Sequence, residues 1–413
     1  MSAAADALAE YRPALRPRVL LSDALLDGAA TVHLIKDTDS GSSFRVGPKE
    51  HFLIARMDGE RSLREIGEEY AREYGRRLDG ARWQQILRML GTRGLLAGAD
   101  ARTPAGPAAP AGSAASGGSA APGGSAVSGG SAAPGGSAVS GGSAAPVTRP
   151  AGPAEPARGV LRGSVRLVAD ADATTARLHR AVGFLLAPGW LVPLLVLVVA
   201  MEVVITLHVG ELLVDARELF TNPVLLTGAA TLLWFSTALH ELAHGVVARH
   251  HGGTVAEIGL RWRLPVVIMY CTVGNYLYLG SRWQRIHTAL AGAVMNLLFL
   301  LPFCALWMFA PLDTATHDAL GALLLLGSAQ AIAMLVPFPP LDGYRIVSQL
   351  CGATGLAAST GTYLRLVARR DPAAADYPRR ARTAYLGYGL GSVLVLVLIL
   401  AAVVAAAHHL LTV

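Results

Sequence analysis

His240, Glu241 and His244 stand in the order His-Glu-Leu-Ala-His. On a helix, residues four apart share a face, so both imidazoles reach one zinc ion, and Glu241 beside them is placed to take a proton from water. Zinc lowers the pKa of a water in its coordination sphere toward neutrality, so no strong base is required. A catalytic zinc usually has three protein ligands, and two residues compete for the third place. His250 follows His240 at the spacing His-Glu-x-x-His-x-x-Gly-x-x-His, but that arrangement needs glycine where this chain has Val247. A helix continuing through Val247 carries His250 about 9 Å along the axis from His244. Asp342, in Pro337-Phe338-Pro339-Pro340-Leu341-Asp342-Gly343, is the stronger candidate.

The elements that must position these residues are apolar. The chain has 413 residues, of which 53% are hydrophobic and only 15% charged, against about a quarter charged in an average soluble chain. That balance excludes a fully soluble protein and a wholly disordered one. Three separated cysteines exclude a disulfide scaffold. Residues 182–207, 223–248, 286–310, 319–336 and 384–407 are long and apolar enough to be membrane helices. Five arginines lie between 158 and 180, five between 249 and 285 and seven between 345 and 382, whereas the intervening connections hold Arg217 alone. Positive charge gathers on the cytoplasmic side, which predicts five spans in the cell membrane with the N-terminus inside and the C-terminus outside. The net charge of +6 is then a topology signal, and no nucleic-acid partner is needed to explain it.

Depth links the two motifs. His240 lies about 25 Å of helix beyond Pro223, and residues 319–336 make a similar descent in the same direction. The prolines at 337, 339 and 340 break the fourth helix there, so non-helical backbone can carry Asp342 back toward the histidines. Residues 264–280 begin and end on the cytoplasmic side and read as a re-entrant hairpin whose edge can hold an extended substrate, with Asn275 as a candidate contact. Glu202, inside the first span, is expected to bond a neighbouring helix or reach the outer interface rather than join the site.

Ahead of the spans, residues 101–157 are a Gly/Ser/Ala/Pro tether with a repeating GGSAAP/GGSAVS centre. It separates a domain at 1–100, whose start lacks a signal-peptide core, from a membrane domain at 158–413. In the first domain, 31–36 and 42–46 read as strands around the turn Asp-Thr-Asp-Ser-Gly. Pro48 opens a helix through Met57, Ser62 and Glu65 have capping-box spacing, and Trp83, Ile86, Leu87 and Leu90 share a third helical stripe stopped by Gly94. The fold class is therefore mainly α, a polytopic membrane protein of about five transmembrane helices with a small N-terminal α+β, winged-helix-like cytoplasmic domain.

The paired motifs, His-Glu-x-x-His in an apolar helix and Pro-x-Pro-Pro-Leu-Asp-Gly about a hundred residues later, resemble those of the site-2 protease family of intramembrane zinc metalloproteases. The resemblance covers roughly residues 190–343. It implies His240 and His244 as zinc ligands, Glu241 as acid/base and Asp342 as third ligand. Residues 291–296, Ala-Gly-Ala-Val-Met-Asn, are similar to the family's Ala-Gly-Pro-x-x-Asn, with Ala293 replacing proline. Asn296 can orient substrate through its amide or bond a neighbouring helix. Met334 departs from the family, which often has asparagine there. The first domain resembles the peptide-recognition modules of ribosomally made, modified peptide biosynthesis, similar to those at the front of bacterial peptide zinc metalloproteases.

These resemblances imply a zinc-dependent endopeptidase that matures a precursor peptide, with its leader peptide held by the N-terminal domain and its catalytic part in the lipid bilayer. Two other functions are compatible with the sequence. One is regulated release of a membrane-anchored protein substrate. The other is a non-proteolytic component for peptide export or self-protection.

Overall fold

The computed structural model describes residues 3–98, 162–263 and 266–412, so the tether expected at 101–157 lies outside the described residues. The chain divides into two compact units. One comprises Met1–Val19 and Ile35–Val147, the other Leu20–Leu34 and Thr148–Val413.

In the first unit, helices α1 (Ala3–Ala9), α2 (Pro48–Ile54), α3 (Leu63–Tyr74) and α4 (Gly80–Thr92) surround Leu53, Ile54, Leu63, Ile66 and Leu90, all almost fully buried. Pro48 opens α2, whose missing N–H costs nothing in the first turn. The helix ends at Ile54 rather than Met57 because residues 56 and 57 tighten into bonds to Leu53 and Ile54 carbonyls. The capping box of Ser62 and Glu65 is present in both directions. Trp83, Ile86 and Leu90 face the core, and Leu87 is half-buried at its margin.

Four short strands occur among residues 3–98: β1 (Val19–Leu21), β2 (Leu25–Asp27), β3 (Ala30–Asp37) and β4 (Ser43–Val46). The last two match the strands expected at 31–36 and 42–46. In the second unit β2 pairs antiparallel with β3, Leu25 opposite Val32.

The rest of that unit carries the spans. After β5 (Arg162–Arg166) and α5 (Ala171–Val182) come α6 (Pro188–Leu207), α7 (Val209–Leu219) and α8 (Pro223–His250). Strands β6 (Val255–Arg263) and β7 (Val266–Val273) precede α9 (Arg282–Phe309), α10 (Thr314–Met334), α11 (Asp342–Cys351), α12 (Leu356–Ala368) and α13 (Arg379–Thr412). Five of these helices, α6, α8, α9, α10 and α13, are long and apolar enough to cross a membrane. The chain is a multi-pass membrane protein. The first span starts at Pro188, not 182, because residues 183–186 make a tighter turn and proline is favoured at a helix start. None of the most apolar stretch of α13 is buried, as a lipid-facing surface requires. Helices α6, α7, α9 and α10 share a core that includes Ile205, Leu212, Leu300 and Leu323.

The segment expected as a hairpin at 264–280 is half of a larger one. β7 pairs antiparallel with the upstream β6, Ile258 opposite Cys271, and β5 adds to the other edge of β6. The partner strand lies upstream because Ile258, Leu260 and Trp262 alternate with Glu257, Gly259 and Arg261, a strand period of its own.

Candidate metal centre

α8 runs unbroken through His-Glu-Leu-Ala-His, which sets the two imidazoles one turn apart with their Nε2 atoms 3.2 Å from each other. Asp342 opens α11, and its Oδ2 lies 3.0 Å from each of those nitrogens. The three donor atoms thus form a nearly equilateral triangle. Its sides approach the edge of about 3.3 Å expected for a tetrahedral zinc site with bonds of about 2.0–2.1 Å.

All three residues are at most 5% exposed. The Nδ1–H of His244 donates to the Thr288 carbonyl at 2.6 Å, which leaves its Nε2 with a lone pair aimed into the triangle. The carboxylate oxygen facing that nitrogen at 3.0 Å draws a cation into the gap, either a proton on Nε2 or a metal ion in its place. The donor set therefore fits a divalent, borderline-soft ion. His240 rests against Gly292 of α9, where a Cβ would come within 2.5 Å of the ring, so only glycine leaves it room. Arg345 holds the outer oxygen, Oδ1, of Asp342 at 3.0 Å. Burial pushes the Asp342 carboxyl up, but the His240 and His244 imidazoles and the Arg345 guanidinium outweigh it and hold it well below the usual carboxylate range. It is ionised at neutral pH, as a ligand has to be.

The return of Asp342 depends on its neighbours. α10 ends at Met334, and the proline-rich stretch 335–341 is not helical. A Cβ on Gly343 would collide with the Leu335 carbonyl, so glycine lets the first turn of α11 fold back against the end of α10. His250 is not in the triangle. With Val247 in place α8 continues to His250, whose Nδ1 lies 3.3 Å from His179 Nε2.

The other candidates separate. Glu241 is next to the triangle in sequence, and its Oε2 accepts the Cys271 N–H of β7 at 3.0 Å. Burial, then the charge of Glu241, pushes the Cys271 thiol up to about 12, so it stays neutral. Asn296 is 2% exposed, accepts from Ser236 Oγ at 3.0 Å and has no partner for its amide nitrogen. Asn275 has a local task, accepting the Thr254 N–H at 2.9 Å and tying the end of β7 to the start of β6. Glu202 accepts from Ser328 Oγ on α10 at 2.6 Å, the neighbouring-helix bond expected for it. Thr288, Gly292 and Arg345 escaped the sequence reading. Gly292 had a signal in the Ala-Gly-Ala-Val-Met-Asn segment, and Arg345 had one in its position a turn after Asp342.

Comparison with known proteins extends this picture. No curated protein and no solved structure matches the chain. Residues 228–319 match the model of Peptidase family M50, a stretch that holds both imidazoles, Glu241, Thr288, Gly292 and Asn296 and stops short of Asp342. Over that stretch the chain is similar to Peptidase family M50.

Proposed function

We propose that the chain is a zinc-dependent endopeptidase of the membrane that matures a ribosomally made precursor peptide. His240, His244 and Asp342 hold the ion, which when bound supplies Lewis acidity to polarise a peptide carbonyl and acidify water. Glu241 takes a proton from the attacking water as the new C–O bond forms and passes it to the leaving amine as the C–N bond breaks. The low-dielectric surroundings strengthen each of these electrostatic effects. Asn296, with its unpartnered amide nitrogen, offers a hydrogen bond to the substrate backbone.

An extended peptide suits this site. β7 is an edge strand, and the Cys271 N–H on its outward side already reaches Glu241. A segment added to that edge gains backbone hydrogen bonds and brings a carbonyl beside the base. A helical substrate has to unwind first, since its carbonyls are otherwise occupied. The N-terminal domain reads a leader peptide and, through the tether, raises the local concentration of the precursor. The arginine pattern supports a cytoplasmic N-terminus and an external C-terminus in the cell membrane.

The observation that carries this reading is the buried triangle of donor atoms, with the His244 tautomer fixed by Thr288. Comparing small peptides from cells with the native chain and with Glu241→Gln tests it. The precursor should accumulate in the variant while its zinc content stays native. Undiminished processing in a zinc-loaded variant would end the protease reading.

A further inference from the structure

A short segment encoded far ahead of the spans belongs to their unit. Leu20–Leu34 groups with Thr148–Val413, and its bonds reach the far end of the helix that begins with Asp342 as well as α9, α12 and α13. The Leu26 N–H donates to the Gly352 carbonyl at 2.7 Å, and the Leu26 carbonyl accepts the Thr354 N–H at 2.8 Å. Leu26 thereby lies parallel to Ala353, just past the end of α11, where helix carbonyls have no partner of their own. Two further bonds seat the turn after β2. The Tyr385 hydroxyl donates to the Gly28 carbonyl at 2.8 Å, and the Gly28 N–H donates to Ser359 Oγ at 3.3 Å.

Asp23 makes the second attachment. Its carboxylate pairs at 2.7 Å with the guanidinium of Arg285, which is only 3% exposed. Burying a guanidinium is costly unless its charge is matched and its N–H groups are used. Arg285 donates Nε to Gln349 of α11 at 2.7 Å and Nη1 to the carbonyls of Leu277 and Leu279. Gln349 follows Asp342 by two helical turns on the same buried face. A relay of contacts thus runs from Asp23 through α9 to the helix that presents Asp342.

We infer that Leu20–Leu34 is a clamp on α11, with Asp23 and Leu26 fixing its placement, and that Asp23 is thereby a positioning residue for the Asp342 carboxylate. The inference rests on the zinc reading of the triangle. A ten-residue helix is marginal alone, and α11 is entered through irregular backbone, so its orientation is set by what it packs against. A ligand set tolerates about 0.5 Å of misplacement.

The test uses the full-length protein in detergent, with Asp23→Asn and the conservative Asp23→Glu. The Asp23 side chain is 60% exposed, so neither change endangers folding by creating a cavity. Zinc affinity is read by competition with a chelator, and amide hydrogen exchange is read over residues 342–351. Asp23→Asn should weaken zinc about tenfold, the scale seen when groups that orient a ligand are lost. It should also speed exchange in α11, and Asp23→Glu should recover most of both. Unchanged zinc affinity or unchanged exchange in Asp23→Asn overturns the clamp. A native chain that binds no zinc instead sinks the metal reading, and exchange in α11 then decides the clamp alone.

Discussion

Asp342 and Asp215 are aspartates packed between helices of the same unit, yet their neighbours treat the charge in opposite ways. For both, burial pushes the carboxyl up. Around Asp342, two imidazoles and Arg345 reverse that push and keep the group ionised. Around Asp215 on α7, which packs on α10, burial is reinforced by Asp318, eased in part by His317, and reinforced again by Glu218 and Glu211. The result is a carboxyl pushed up to about 6. Gly321 allows this close approach, since a Cβ there would collide with the Asp215 carboxylate. Burial therefore does not by itself determine what the buried Asp342 or the half-buried Asp215 carboxylate does. One is surrounded by groups that favour its charge, and the other by groups that favour a proton.

The contrast can be broken from either side. Asp342→Ala or His244→Ala should have the largest effect, with stoichiometric zinc lost from the purified chain by elemental analysis and peptide cleavage lost with it. Glu241→Gln should leave zinc in place and slow cleavage by about 10²–10⁴-fold, as removing a general base does. Gly292→Ala puts a methyl group against the His240 ring. It should weaken zinc by about 10–100-fold without replacing a ligand residue, measurable by chelator competition.

The smallest change is expected at Asp215. Its folded pKa of about 6 is raised from 3.8, so the stability it contributes is present below about pH 4 and lost as pH rises through 6. Asp215→Asn should therefore raise the thermal midpoint relative to the native chain at pH 7, and the gain should disappear below pH 4. A native chain whose midpoint does not fall across that window relative to the variant would remove the contrast.

Much of the centre was legible because helix geometry links spacing to position. His240 and His244 share a face wherever their segment is helical, and the proline break after the fourth span marks where a residue can return to their depth. Gly343, in the same motif, turned out to be the residue that permits the return. What stayed hidden depends on contacts across the fold. The Thr288 carbonyl that fixes His244 is a backbone atom with no residue-type signature. The need for glycine at 292 exists only because His240 from another helix rests there. The central position of Asn275 in its segment likewise gives no sign that its amide oxygen accepts the nearby Thr254 N–H. Strand propensity at 25–27 was equally silent about its partner at 352–354, because local sequence carries no label for a strand's distant neighbour.

That last pairing has a consequence for synthesis. Gly28 and Ser359 are 331 positions apart. At about 5–20 residues per second, the ribosome needs roughly 15–65 s to make the second after the first. For that interval Leu26 has been translated while the cluster that buries it, Ala353 to Tyr385, has not. Leu26 can therefore take its native place only after the chain has been made as far as Tyr385, into the last span.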